Sequence, residues 1–375
     1  MKIIRINIIS ILLVFPQLLC SCLDEKGDNR PVFPSRTILF YMTGDSGLEE
    51  EIAEKTAALA AAWNVEGDNH LLVYQGRTAD SHPRLLEIGK DKTDVLEEYK
   101  EGFVSFSSAF AQTLNDMVRH CPGSDYGLIV FSHGSGWLPS GTNITPRSVA
   151  TDGKSEFELI DFAHSIPDGQ FRFILFESCQ MAGIEVAYEL KDKTNIILAS
   201  SAEIVSPGFT PIYARMLERL YKDTPDVEGF ADDYYEYCNR QSGDARSATV
   251  SVISTAGLAP FKTFIKRVEE ENVEHWEWVE RDNIQHFDRR KDNYLFYDLE
   301  GYIRSIGSQK DINELAGLLD GVIRYSAATE SFLPDTTYGY DIAQHCGLTI
   351  YIPVQRYSYL NTQRKRLLLF SEYQE

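Results

Sequence analysis

Two apolar stretches of this chain end in residues equipped for covalent catalysis. Gly127–Ser132 (GLIVFS) runs into His133 and then Gly134-Ser135-Gly136-Trp137, while Phe171–Phe176 (FRFILF) runs into Glu177-Ser178-Cys179-Gln180. A cysteine thiolate attacks a carbonyl carbon readily, and an imidazole can carry protons between thiol and leaving group. Each residue alone has a plain structural explanation. A cysteine near the end of a buried strand commonly serves as a small core hydrophobe, and a lone histidine after a strand is often structural. Their combination says more. Positions 133 and 179 lie 46 residues apart, which leaves room for one crossover. Neighbouring parallel strands would then present both side chains at one sheet edge. The glycines after His133 let the backbone approach a substrate closely, and they offer an N–H to a developing oxyanion.

A parallel sheet would position such a pair, and the chain carries one in its pattern. Thr37–Thr43, His70–Gln75, Arg84–Ile88, Gly127–Ser132, Phe171–Glu177 and Asn195–Ser200 are β-rich apolar runs. Several are continuously apolar, as strands buried on both faces are. Helical patterns at Leu48–Trp63, Ser107–His120 and Gly183–Leu190 separate them, so the expected fold is an α/β/α sandwich with a mainly parallel central sheet. The C-terminal part is less regular. Val227–Tyr237 and Gly257–Val273 have helical spacing, and Thr249–Ser254 and Leu348–Pro353 have strand character. Glu269–Asp292, dense in charge and aromatics, is expected to be a surface insertion. Its His275, Trp276, Trp278 and His286 are expected to pack as part of an amphipathic helix.

The chain has 375 residues, 43% hydrophobic and 25% charged, with a formal net charge of −20. That composition is globular, and so acidic a balance argues against a nucleic-acid partner, which demands basic patches. Residues 1–21 have the layout of a signal peptide: Lys2 and Arg5, then a largely apolar run from Ile8 to Leu19. Leu19-Cys20-Ser21-Cys22 resembles a lipobox with Cys22 as the lipidated residue, because Gln17 would occupy the aliphatic position if Cys20 were modified. Residues 22–35 then form a flexible tether, 36–225 the catalytic core, and 226–375 an elaboration packed on it. This layout places the protein in a bacterial cell envelope, at the outer membrane or cell surface, or outside the cell, and gives it a membrane contact through its lipid. The remaining cysteines, Cys121, Cys179, Cys238 and Cys346, have no metal-ligand spacing, and the acidic runs lack EF-hand spacing, so no metal or other cofactor is expected.

The paired motifs resemble the clostripain family of cysteine peptidases, relatives of caspases, legumains and gingipains. The family pattern is an apolar strand ending in His-Gly-x-Gly-Trp, here His133 to Trp137, then one ending in Asp-x-Cys, here Glu177-Ser178-Cys179. Phe40 to Asp45 is similar to the family's first strand, and Ala199 to Glu203, Pro207-Gly208-Phe209 and Pro211-Ile212-Tyr213 are similar to its pocket wall. The likeness covers roughly 36–215. It implies a caspase-like fold, Cys179 as nucleophile, His133 as proton carrier, and the N–H groups of Gly134 and Cys179 as oxyanion donors. It also implies cleavage after Arg or Lys, with Glu177 and Ser201 in the S1 pocket. Glu177 departs from the family's aspartate, keeping the charge and adding a methylene. Family members are often zymogens cut between the two motifs, and Gly141–Asp152 offers Arg147 for that cut. Some relatives need calcium. A transpeptidase using the same residues, or a surface-anchored binding lipoprotein on a degenerate protease fold, are the competing readings.

Overall fold

The apolar runs pair as parallel neighbours because both their faces can then be covered by helices. A computed structural model of the chain describes residues 35–44, 47–77, 81–90, 92–100, 103–139, 149–152, 155–274, 276–289 and 294–372. Among these the main sheet has nine strands: β1 (Arg36–Met42), β2 (His70–Gln75), β3 (Arg84–Ile88), β4 (Thr93–Glu98), β5 (Asp125–Phe131), β6 (Phe171–Glu177), β7 (Thr194–Ala199), β8 (Thr249–Ser254) and β9 (Ile323–Ala328). They lie in the order β9-β8-β7-β6-β5-β1-β2-β3-β4. The five central strands, β7 to β2 in that order, are parallel. The outer pairs are antiparallel.

Strand alternation divides the interior into two cores. Leu39 and Tyr41 of β1, with Ile174 and Phe176 of β6, face helices α2 (Phe106–His120), α3 (Leu159–His164) and α4 (Ile184–Glu189). The alternate residues Ile38, Phe40 and Met42, with Phe173 and Leu175, meet α1 (Glu49–Ala62), α5 (Tyr213–Leu220) and α6 (Val227–Asn239). The α/β/α sandwich expected from the sequence is thus the architecture found. α2 begins at a capping box, with the Ser105 side chain accepting from the Ser108 N–H, and ends on Arg119 and His120, which suit the negative end of the helix dipole.

The sheet runs across position 225, since β8 and β9 extend it beyond β7, and residues 34–375 cluster as one compact unit. Two strands are absent from the sequence expectation. β4 is polar and half exposed, and β9 carries no alternating apolar face, both properties of edge strands. Leu348–Pro353, expected as a strand, supplies only Thr349–Ile350, which pair with Tyr297–Asp298 outside the main sheet. The expected surface insertion at Glu269–Asp292 needs correction: α7 (Ala259–Asn272) fills its first part, and Ile284, Phe287 and Asp288 are buried. Trp276–Trp278 form a single 3-10 turn rather than an amphipathic helix, and His286 stacks on Tyr294 with ring centroids 3.6 Å apart. The segment 1–34 with Cys22, the tether up to residue 34, Arg147 and His275 lie outside the described residues. Among the described residues no helix is long and apolar enough to cross a membrane.

Candidate active site

The sheet register brings the two motif-bearing strand ends together. Phe131 of β5 is opposite Glu177 of β6, so Ser132-His133 and Ser178-Cys179 leave the sheet at the same level. The chain leaves β1 for β2 on one side and later returns to β5 on the other, and sites in open α/β sheets collect at the carboxyl edge beside such a switch. There Phe131, Ser132, His133, Glu177, Ser178 and Cys179 line one cavity of about 190 Å³, closed by Leu48, Glu51, Ile204, Ser206 and Gly208.

Close backbone packing explains the glycines after His133. A Cβ on Gly134 would lie 2.6 Å from the Cys179 carbonyl oxygen and 3.1 Å from its nitrogen. Gly136 has φ +64°, and a Cβ there would press on the Gln180 carbonyl at 3.0 Å. Trp137 is buried edge-on against Tyr351. Just after Cys179, Gln180 takes a left-handed φ of 60°, uncommon for a side chain of its size. Its N–H donates to Ala202 O at 2.8 Å and its amide donates to Asp288 at 3.3 Å. Asp288 also accepts from the N–H groups of Leu295 and Phe296, so this C-terminal segment braces the turn that carries Cys179.

Cys179 is half-buried. Burial pushes its thiol up to about 11, with Glu203 adding to the effect. Hydrogen bonds from the Ile204 and Gly134 N–H groups, and the Arg289 guanidinium, pull the other way. The Gly134 N–H thus lies close to the Cys179 thiol. Arg289 itself pairs with Glu203 at 2.9 Å.

Glu177 has partners that its motif does not announce. Its carboxylate is buried, and accepts from Lys55 Nζ at 2.6 Å, Phe209 N–H at 2.7 Å and Tyr213 O–H at 3.0 Å. Gly208, with φ +61°, lets the chain pass: a Cβ there would sit 2.4 Å from Glu177 Oε1. Lys55, from α1, also donates to Pro207 O and Thr210 Oγ1, lies 3.4 Å from Glu51, and sits 4.5 Å from the Phe131 ring centre. Sequence reasoning missed this lysine. Its signal was its place on the apolar stripe of α1, between Ile52 and Leu59, where a charge requires a partner. Ser201 is not among the cavity-lining residues. It is buried and hydrogen-bonded to His345 Nε2 at 3.0 Å, the other ring nitrogen meeting Ser326 at 3.2 Å.

The family model for the clostripain family matches residues 40–346, spanning both strand ends and the cavity wall. The chain belongs to this family of cysteine peptidases. Solved structures agree with its fold. An inactive zymogen of the same peptidase class from Parabacteroides distasonis is 25% identical, with a TM-score of 0.79, and the match covers 91% of this chain and 98% of that one. A secreted cysteine protease from Bacteroides thetaiotaomicron, iotapain, is 21% identical with a TM-score of 0.78, over 90% and 98%. A secreted cysteine protease of that organism bound to an irreversible peptide inhibitor is 23% identical with a TM-score of 0.76, over the same shares. No curated relative matches the chain.

Proposed function

We propose that this clostripain-family chain is an endopeptidase that cuts after Arg or Lys, with Cys179 as nucleophile and His133 as proton carrier. The observation that supports it most is the parallel register of β5 and β6, which brings both residues to one rim over a single cavity. Attack of the Cys179 thiolate on the scissile carbonyl makes a tetrahedral oxyanion facing the N–H groups of Gly134 and Cys179. His133 protonates the leaving amine, and water then releases the acyl group from sulfur. In the cavity two carboxylates, Glu51 and Glu177, face one ammonium, Lys55, so the site carries a net negative charge that favours a cationic P1 side chain. Ser201 supports the wall through His345 rather than touching the substrate.

An arginyl acyloxymethyl ketone is expected to alkylate Cys179 irreversibly, and its norleucyl counterpart to react at least about tenfold more slowly. Absence of labelling would mean a binding lipoprotein on a degenerate fold. Equal rates would remove the basic P1 assignment. Products extended by an added amine would mark a transpeptidase using Cys179 and His133.

The same reading makes the chain a zymogen, exported behind its signal segment, held to the envelope through Cys22, and activated by cleavage after Arg147. The mature chain would divide into residues 22–147 and 148–375, about 14 and 26 kDa in proportion to 42.6 kDa for 375 residues. The fragments would stay joined, since β5 and β6 pair across the cut. Gel electrophoresis of purified protein is expected to show both bands for the parent and a single band for Arg147→Ala and for Cys179→Ala. Two bands from purified Cys179→Ala would assign the cut to another protease.

A further inference from the structure

At the rim opposite the catalytic one, the fold assembles donors that no sequence spacing links. His70 opens β2, Glu87 lies near the end of β3, and Cys121 caps the C-terminus of α2. Leu72 is the register partner of Glu87, so His70, two residues before Leu72, shares the sheet face of Glu87, and α2 lies on that face. His70 Nδ1 is 2.7 Å from Glu87 Oε1, and the ligand atoms of all three residues lie within 4.8 Å of one another. Three rigid anchors hold them: β2 and β3 pair directly, and Thr37 Oγ1 donates to the Cys121 carbonyl oxygen at 2.8 Å.

We propose that His70, Glu87 and Cys121 form a zinc site, with water as fourth ligand. One thiolate, one imidazole and one carboxylate make a borderline-soft donor set suited to tetrahedral zinc, whereas calcium and magnesium call for oxygen ligands throughout. Zinc at about 2.0–2.3 Å from each donor spaces ligand atoms roughly 3.3–3.8 Å apart. Cys121 is 2% exposed, while the His70 and Glu87 side chains are 29% and 30% exposed, and zinc binding would part their 2.7 Å contact to reach that spacing. Their exposure also admits the water. On binding, the Cys121 thiol proton is released to solvent and the sulfur bonds the metal as thiolate. The ion would tie the end of α2 to the β2–β3 hairpin, about 20 Å along the strands from Cys179. Its role would be structural.

The test uses the untagged chain carrying Cys179→Ala, so that the catalytic thiol does not compete. After loading with zinc chloride and dialysis, plasma mass spectrometry is expected to find one zinc per chain. Glu87→Gln, at a partly exposed position, and Cys121→Ser are each expected to weaken binding at least about 100-fold. Cobalt loading is expected to give a thiolate-to-metal charge-transfer band. Zinc content unchanged by Glu87→Gln, a cobalt form without the thiolate band, or no zinc retained at all would each overturn the site.

Discussion

Cys179→Ala is expected to abolish peptide hydrolysis, with a loss of at least about 10⁴-fold in kcat and little change in thermal stability. The substitution removes one sulfur from a half-buried position and leaves the braced Gln180 turn intact. Replacing Cys121, Cys238 or Cys346 should leave turnover nearly unchanged, since none lines the cavity. The same thiol carries a pH signature. With its proton held up to about 11, only about one molecule in 10⁴ is thiolate at pH 7 in the resting chain. Alkylation at Cys179, followed by peptide mapping, should therefore accelerate about tenfold per pH unit from 7 towards 11. The sign follows from burial: the neutral thiol is favoured, and rising pH removes the proton. Full hydrolysis by Cys179→Ala would end the cysteine-peptidase assignment, and a flat alkylation profile would show that the resting thiol is ionised.

Lys55→Met is expected to cost about 3–5 kcal/mol of stability, measured by denaturant unfolding. Both partners of the Lys55–Glu177 pair are almost wholly inaccessible, at 1% and 0% side-chain exposure. Removing the ammonium leaves Glu177 with one N–H and one O–H donor in a water-poor setting. The double variant Lys55→Met/Glu177→Gln should recover most of the loss, because its amide needs no counter-charge. Substrate choice should respond in opposite directions. Glu177→Gln leaves Lys55 facing Glu51 alone and should erode cleavage after Arg, whereas any folded Lys55→Met protein should discriminate more strongly for Arg over norleucine. A cost below about 1 kcal/mol for Lys55→Met, with unchanged P1 preference, would remove the pair from both roles.

Much of the fold is legible in the sequence alone. β2, β3, β6 and β8 follow the expected runs residue for residue, because short runs rich in β-branched and apolar residues, flanked by polar ones, read as strands. The edge strands β4 and β9 escaped, since half-exposed strands carry weak periodicity. The motifs at His133 and Cys179 stand out because each is local, a strand end with its own following residues. What escaped was long-range pairing. Glu177 meets Lys55 across 122 positions, Ser201 meets His345 across 144, and Gln180 meets Asp288 across 108. No local pattern encodes such partners; a lysine on the apolar stripe of α1 was their one visible trace.

On the proposed reading, that lysine puts reactivity and selectivity in different parts of the chain. The thiol and imidazole are carried by two short motifs, while the counter-charge of Glu177 arrives from a helix near residue 55. A homologue could therefore retain every residue from His133 to Trp137 and from Glu177 to Cys179, exchange one helical side chain, and digest a different set of proteins. Under the proposed specificity, substrate choice would then change without any alteration of the two motifs.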